Sequence, residues 1–326
     1  MKTKETVLSM LEANRGTPLS GAKMAAQTGL SRTAIWKAIE ELRRDGYEIS
    51  AVTREGYTLA SNSDVLSEAC LRSFVKTENL SFILYKSTES TNACVKELAA
   101  SGAPEGTVVL SEMQTAGRGR SEKSFFSPAG TGLYMSILLR PKMSAADALQ
   151  ITTCAAVAVA QAAEAAANRP AKIKWVNDVY MDDKKICGIL TEGAFDLESG
   201  GLEYAVLGIG VNMTPPPDGF PPSIQKIAGA LFDAKPTHDI RCKIAADILD
   251  RFFMLYRANE KETQLAEYRR RSLLTGQEIL VLRGAECLAA TALGIDDDFC
   301  LHVRYTDGGE AHLSSGEVSI KPKTAI

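Results

Sequence analysis

The 326-residue sequence predicts a multidomain α/β (α+β) chain in three parts. These are a winged helix-turn-helix at 1–62, a central mixed-sheet domain at 67–272 and a small C-terminal β-barrel at 273–326. Three observations carry that prediction. Three helical patterns followed by one short alternating hairpin fill the N-terminal segment. From about residue 81, strand-like runs alternate with helical ones. After Leu273 only short strands and turns remain.

In the N-terminal segment Val7, Leu8 and Leu11 recur at helical spacing. "LSGAKMAAQTGLSRTAIWKAIEELRRDG" (19–46) then holds a short helix, a turn at Gly29-Leu30 and a second helix capped by Ser31. Ile35, Ile39 and Leu42 mark the buried stripe of that second helix. The helix-turn-helix runs from about Gly21 to Glu40, with Ser31, Arg32, Thr33 and Lys37 off the stripe. A recognition helix needs such small, polar and cationic residues near its start, for base edges and phosphates. Arg43, Arg44 and Arg54 add cations, while Glu40, Glu41 and Glu55 dilute them. "YEISAVTREGYTLA" (47–60) alternates around Arg54-Glu55-Gly56 and suits a two-stranded wing. The same pattern fits a three-helix protein-binding module. "SNSDVLSEA" (61–69) is a linker running into a new helix.

Strands are predicted at 81–86, 106–113, 132–140, 171–176, 184–192 and 202–213, and helices at about 90–100, 144–168, 237–259 and up to 271. "ITTCAAVAVAQAAEAAAN" (151–168) is mostly alanine and contains Gln161 and Glu164, so it is read as a buried core helix and not a membrane span. The last segment, "EILVLRG", "CLAATALGI", "FCLHVRYTDGG" and "GEVSIKP", has the strand–turn rhythm of a small barrel.

The formal net charge of -3 excludes a uniformly basic nucleic-acid coat, so any DNA contact comes from a local patch. Seven scattered cysteines with no C-x-x-C, and only three histidines, argue against zinc and for reduced thiols in the cytoplasm. The charged N-terminus is not a signal peptide.

Three central stretches carry chemistry. "STESTN" (87–92), between strand and helix, offers hydroxyls and free N–H groups to a polar ligand, or is a plain cap. In "QTAGRGRSEK" (114–123), Gly117 and Gly119 let the backbone turn tightly, and Arg118 and Arg120 can fork phosphate oxygens. It is neither a Walker loop nor G-x-G-x-x-G; taken alone it is equally a solvated surface loop. "KIKWVNDVYMDDKKICGILTE" (172–192) sets Lys174, Asn177, Asp178 and Lys185 around a strand–turn–strand. Lys185 there is either a snorkelling edge residue or a cation aimed into a pocket. Asn177 and Asp178 can orient a ribose or hold Mg2+.

Taken in order, "ST-N", "Q-x-A-GRGR", "FSP-G-GLY-S", "KW-ND-Y…K-x-x-GIL-E", "GIG-NM" and "GE-S" make the chain resemble, over nearly its full length, the bifunctional biotin–protein ligases that also repress the biotin operon. The resemblance implies a winged helix, a catalytic ligase domain and an SH3-like barrel. It implies that biotin and ATP form biotinyl-5′-AMP with Mg2+, and that biotin then passes to a lysine on the carboxyl carrier domain of acetyl-CoA carboxylase or a similar enzyme. Operator DNA and a second copy of the chain are the other implied partners; no membrane is. Laid on matching positions, Ser90, Thr91, Asn92 and Gln114 line the biotin head-group site. Arg118, Gly119 and Arg120 close over biotin and adenylate, and Lys185 meets the biotin carboxylate. Phe125, Asn177, Asn212 and Glu317 face the nucleotide, and Asp178 the metal. Lys185, Arg118, Arg120 and Asp178 form the implied catalytic set.

The chain departs from the family pattern at Glu122, where glycine is usual, at Lys123, where arginine is, and at Phe125, where tryptophan is; Val176 replaces a proline. Lysine makes no bidentate fork and phenylalanine stacks less area on adenine. These changes predict weaker ordering of the loop over the adenylate, and weaker retention of it. Two alternatives share most of the same residues: a ligase for another acid such as lipoate, and a ligand-sensing transcription factor with weakened ligase activity.

Overall fold

The N-terminal elements of the computed structural model follow from local sequence. The structure describes residues 3–52, 54–121, 123–143, 148–195, 201–234, 236, 238–258, 260–283 and 286–320. The chain divides into two units: Met1–Phe74 with Ala234–Lys243, and Val75–Asp233 with Ile244–Ile326.

The first unit opens with α1 (Thr3–Glu12), α2 (Gly21–Thr28) and α3 (Arg32–Arg44). Val7, Leu11, Met24, Ile35, Ile39 and Leu42 close into one core, with Leu8 packed at its margin. Gly29 ends α2 in the left-handed region at φ 71°, and Ser31 Oγ accepts from Ala34 N at 3.1 Å to start α3. Such a cap contributes about 1 kcal/mol. The wing pairs β1 (Ile49–Val52) with β2 (Gly56–Leu59), Ile49 opposite Leu59. Gly56, at φ +117°, has no room for a Cβ, which would lie 2.4 Å from Leu19 O. After α4 (Glu68–Phe74), residues 238–243 join this unit through two ion pairs. Arg15 reaches Asp239 at 3.0 Å, and the buried Arg241 reaches Asp64 at 3.0 Å.

The second unit holds β3 (Ser81–Tyr85), α5 (Thr91–Ala100), β4 (Thr107–Ser111), β5 (Gly132–Leu139), α6 (Ala148–Ala167), β6 (Lys172–Lys174), β7 (Asp178–Met181), β8 (Lys184–Phe195) and β9 (Leu202–Asn212). Their sheet runs β3-β4-β5-β9-β8-β7-β6. Only β3 and β4 are parallel, so it is mixed as predicted. β4 and β5 are buried along their whole length, which explains their unbroken apolar runs. α5 packs on β4, β5 and β9, and α6 on β6, β7 and β8. α6 is long and apolar enough to cross a membrane by length and composition alone, but residues 151–160, 162 and 163 are buried within the protein. The predicted start of that helix, 144–147, lies outside the described residues. α7 (Ile240–Ala258) and α8 (Lys261–Arg270) follow.

Two expectations need correction. The 171–192 stretch makes two reversals and not one: β6 stops at Lys174, residues 175–177 turn, and β7 runs to a tight turn at Asp182-Asp183, both at positive φ. That two-residue turn matches the right-handed twist of a hairpin. The Trp175–Val176 peptide bond is cis. The C-terminal strands β10 (Glu278–Arg283), β11 (Glu286–Ile295), β12 (Leu301–Tyr305), β13 (Glu310–Leu313) and β14 (Glu317–Ile320) form an open antiparallel sheet, β13-β12-β11-β10-β14. Among the described residues it does not close into a barrel. Both edge strands are only four residues long and begin with a glutamate, features that blunt edge pairing.

Candidate active site

A cavity of about 330 Å³ opens in the second unit. It is lined by every residue the sequence assigned to biotin or nucleotide: Ser90, Thr91, Asn92, Gln114, Arg118, Gly119, Arg120, Phe125, Asn177, Asp178, Lys185, Asn212 and Glu317. Those side chains come from five separated segments of the chain.

Its polar base is built at the start of α5. Ser90 occupies the cap position but makes no capping hydrogen bond, which rules out the plain-cap reading of "STESTN". Gln114 does that work instead, although β4 ends three residues before it. Its Oε1 accepts from Thr91 N at 2.9 Å and Thr91 Oγ1 at 3.1 Å, and its Nε2 donates to Ser127 Oγ at 2.9 Å. Asn92 Nδ2 donates to Glu192 Oε2 at 2.8 Å and to Leu190 O at 3.3 Å. Ser136 Oγ donates to Asn92 Oδ1 at 2.6 Å and lies 2.7 Å from Thr91 Oγ1. Burial alone would raise the Glu192 carboxyl, but hydrogen bonds from Lys96 and Asn92 outweigh it and hold the pKa below its ordinary value.

The floor is made of glycine. Gly188 on β8 and Gly210 on β9 are directly paired, and a Cβ on either would meet the Phe125 ring, at 3.1 and 2.6 Å. A Cβ on Gly208, two residues along the same face, would lie 2.2 Å from Asn92 Oδ1. The Phe125 ring also stands edge-on to Tyr134, with centroids 6.4 Å apart.

The cationic wall comes from the glycine–arginine segment, which folds as a narrow hairpin. Phe125 N donates to Gly117 O at 2.8 Å and Gly119 N to Lys123 O at 2.6 Å. A Cβ at Gly117 would lie 2.4 Å from Phe125 O, so this position requires glycine. Arg120 donates to Asn177 Oδ1 and to Gly316 O, both at 3.2 Å, and Lys123 pairs with Glu317. Arg118 is exposed along the cavity. Glu122 lies outside the described residues.

On the opposite side Lys185 Nζ sits 2.6 Å from Asp178 Oδ1. The contact is an ion pair without hydrogen-bond alignment, and that buried oxygen has no other partner. Lys174 stands across from Asp178 in the β6–β7 register; burial lowers its pKa, with Asp178 raising it and Lys185 lowering it. Asn212 Nδ2 donates to Gly229 O at 2.9 Å, and Lys185 N to Ile227 O at 2.8 Å; together they fix the wall formed by 227–229.

Sequence reasoning missed Ser136, Glu192, Gly188, Gly208 and Gly210 as working parts. Glycines inside strands, two apart on one face, signal close approach of another group; "GIG" carried that signal.

In the first unit Ser31, Arg32, Thr33 and Lys37 are exposed on α3, as predicted, and so is Trp36, which the sequence reading left unassigned.

Comparison with known proteins agrees with this arrangement. Residues 84–212 match the Biotin/lipoate A/B protein ligase family, and residues 3–58 match an HTH domain. The chain is 38% identical to the Bifunctional ligase/repressor BirA of Bacillus subtilis over 297 residues, 89% of this chain and 90% of that one. The chain belongs to the bifunctional ligase/repressor family. Another member, from Bacillus spizizenii, is 42% identical over 73% of this chain and 74% of its own. Among solved structures, the biotin protein ligase of Aquifex aeolicus in complex with biotin and ATP is similar at TM-score 0.62 and 25% identity, covering 76% of this chain and 100% of that one. The family's ligase portion therefore coincides with the cavity, and its HTH portion with α1–β2.

Proposed function

We propose that this chain is a biotin–protein ligase and transcriptional repressor. It joins biotin to ATP as biotinyl-5′-AMP, releasing pyrophosphate, and transfers biotin to an acceptor lysine. The observation that carries this is the convergence of Arg118, Arg120 and Lys185 on one cavity with a hydrogen-bonded polar base. Joining a carboxylate to a phosphate brings two anions together and builds charge at phosphorus. Donors fixed in advance offset that charge, and one such donor contributes on the order of 10²–10³ in rate.

Thr91, Asn92 and Gln114 hold the polar end of biotin, and Lys185 holds its carboxylate. Releasing Lys185 from Asp178 frees a carboxylate on the nucleotide side. Mg2+ supplies charge neutralisation at the phosphates when bound. Asp178, whose buried Oδ1 is held only by the Lys185 ion pair, is the residue that would hold it. Among the described residues no group of three His, Cys, Asp or Glu forms a metal cage, so the ion would arrive with the nucleotide. The hairpin at 117–125 covers the reactive anhydride and excludes water. The acceptor is the carboxyl carrier domain of acetyl-CoA carboxylase or a similar enzyme. The repressor acts in the cytoplasm as a homodimer on operator DNA, through α3 and the wing.

Lys185→Ala should abolish biotin-dependent exchange of pyrophosphate into ATP while the circular dichroism spectrum stays unchanged. Near-normal exchange would remove Lys185 from the first step. Labelling of an acceptor domain with biotin but not lipoate checks the acid.

A further inference from the structure

The chain has two tryptophans, and the fold treats them oppositely. Trp175 is 4% exposed, and its Nε1 donates to Phe299 O at 3.0 Å. Trp36 is 52% exposed, and among the described residues its indole makes no hydrogen bond or ring contact. A single exposed apolar side chain is ordinary on a protein surface. Position and company set this one apart. It is the fifth residue of α3, four after Arg32, three after Thr33 and next to Lys37, all exposed. The buried stripe of the helix is complete without it. Glu40 and Asp45 are paired, with Arg43 at 2.7 Å and with Lys4 at 2.8 Å, while Glu41 stays exposed four residues after Lys37. Cations around a flat aromatic ring complement a polyanion with stacked, partly apolar edges.

We propose that Trp36 is a sequence-reading side chain of α3, its ring lying against a thymine methyl group in the major groove and its N–H donating to an acceptor on a neighbouring base edge. The major groove is where thymine presents its C5-methyl and where O4, N7 and O6 accept hydrogen bonds. The first residues of a recognition helix are the ones that meet base edges. Arg32 and Lys37 hold the flanking phosphates, which position the helix without reading sequence. The inference rests on the repressor half of the proposed function.

Random-sequence duplexes selected by the full-length chain, in the presence of biotin and ATP, provide the test. Wild type should enrich a defined site containing thymine at a fixed position. Trp36→Ala should bind that site about 5- to 150-fold more weakly and lose the preference for thymine. Its binding to an unrelated duplex at low salt, and its ligation rate, should be unchanged. Replacing that thymine by deoxyuridine removes only the methyl group. It should weaken wild type and leave Trp36→Ala unaffected. The proposal is overturned if Trp36→Ala enriches the same site with equal affinity, if deoxyuridine weakens both proteins equally, or if the substitution changes oligomeric state instead of DNA preference. A wild-type chain that enriches no sequence would overturn the repressor reading beneath it.

Discussion

Gly208→Ala puts the rigidity of the polar base to a direct measurement. The added methyl would stand 2.2 Å from Asn92 Oδ1 and 2.9 Å from its Cγ, where ordinary contact begins near 3.4 Å. The shortfall is about 1.2 Å. Asn92 has nowhere to retreat. It is 5% exposed, its oxygen is held by Ser136 and its amide by Glu192 and Leu190. β9 cannot slide either, because it is bonded to β5 on one side and β8 on the other. Overpacking costs about 1–3 kcal/mol, and expelling a buried amide from its partners adds about 1–3 kcal/mol. The expected loss is about 2–6 kcal/mol. In a unit of this size that lowers Tm by roughly 4–24 °C in calorimetry. Biotin affinity should fall with it, because Asn92 lines the cavity. Adding Asn92→Ala should restore part of the stability without restoring biotin binding, since the clash is gone and the contact is too. If Gly208→Ala unfolds within about 0.5 kcal/mol of wild type and binds biotin normally, the rigid-base reasoning is wrong.

Two further expectations concern charge. Glu192 is held below its ordinary carboxyl value, so its stabilising contribution is present above about pH 4.5 and is lost as pH falls through the folded-state value. In urea unfolding, the advantage of wild type over Glu192→Gln should therefore be full near neutral pH and shrink on acidification; an advantage independent of pH refutes it. Removing 1–62 should leave ligation largely intact. In the full chain, Asp64→Ala leaves Arg241 buried without its partner, and unfolding measurements should show a loss of about 3–5 kcal/mol. Stability equal to wild type would mean that the pair contributes nothing.

The legible parts of the fold were those set by neighbours in sequence. Ser31 and Gly29 mark helix ends because a cap and a left-handed residue act within one turn. The Asp182-Asp183 tip was visible as a turn for the same reason. The second reversal at 175–177 was not, because "KIKWV" is apolar and strand-like throughout, and only pairing within the sheet decides where such a run bends. Closure of the C-terminal sheet was equally invisible. It depends on whether β13 meets β14 across three other strands, and no local residue encodes that. Within the site, Arg118, Arg120 and Lys185 were identifiable by type and motif. Ser136 and the strand glycines stand in the motifs too, but their roles were not legible, because a serine or glycine in a strand has no chemistry until something lies against it.

By itself the sequence determined most of the helices, strands and turns, and which kinds of side chain are available: guanidiniums on a glycine hairpin, an ammonium after a tight turn, hydroxyls at a helix start. Those properties are local, governed by backbone preference and side-chain chemistry over a few residues. Tertiary structure decided the partnerships: Gln114 with Thr91, Lys185 with Asp178, and Lys123 with Glu317 at a separation of 194 residues. Long-range pairings follow from how sheets and helices pack as wholes. The identity of a residue restricts its possible partners, and the burial of everything around it selects one.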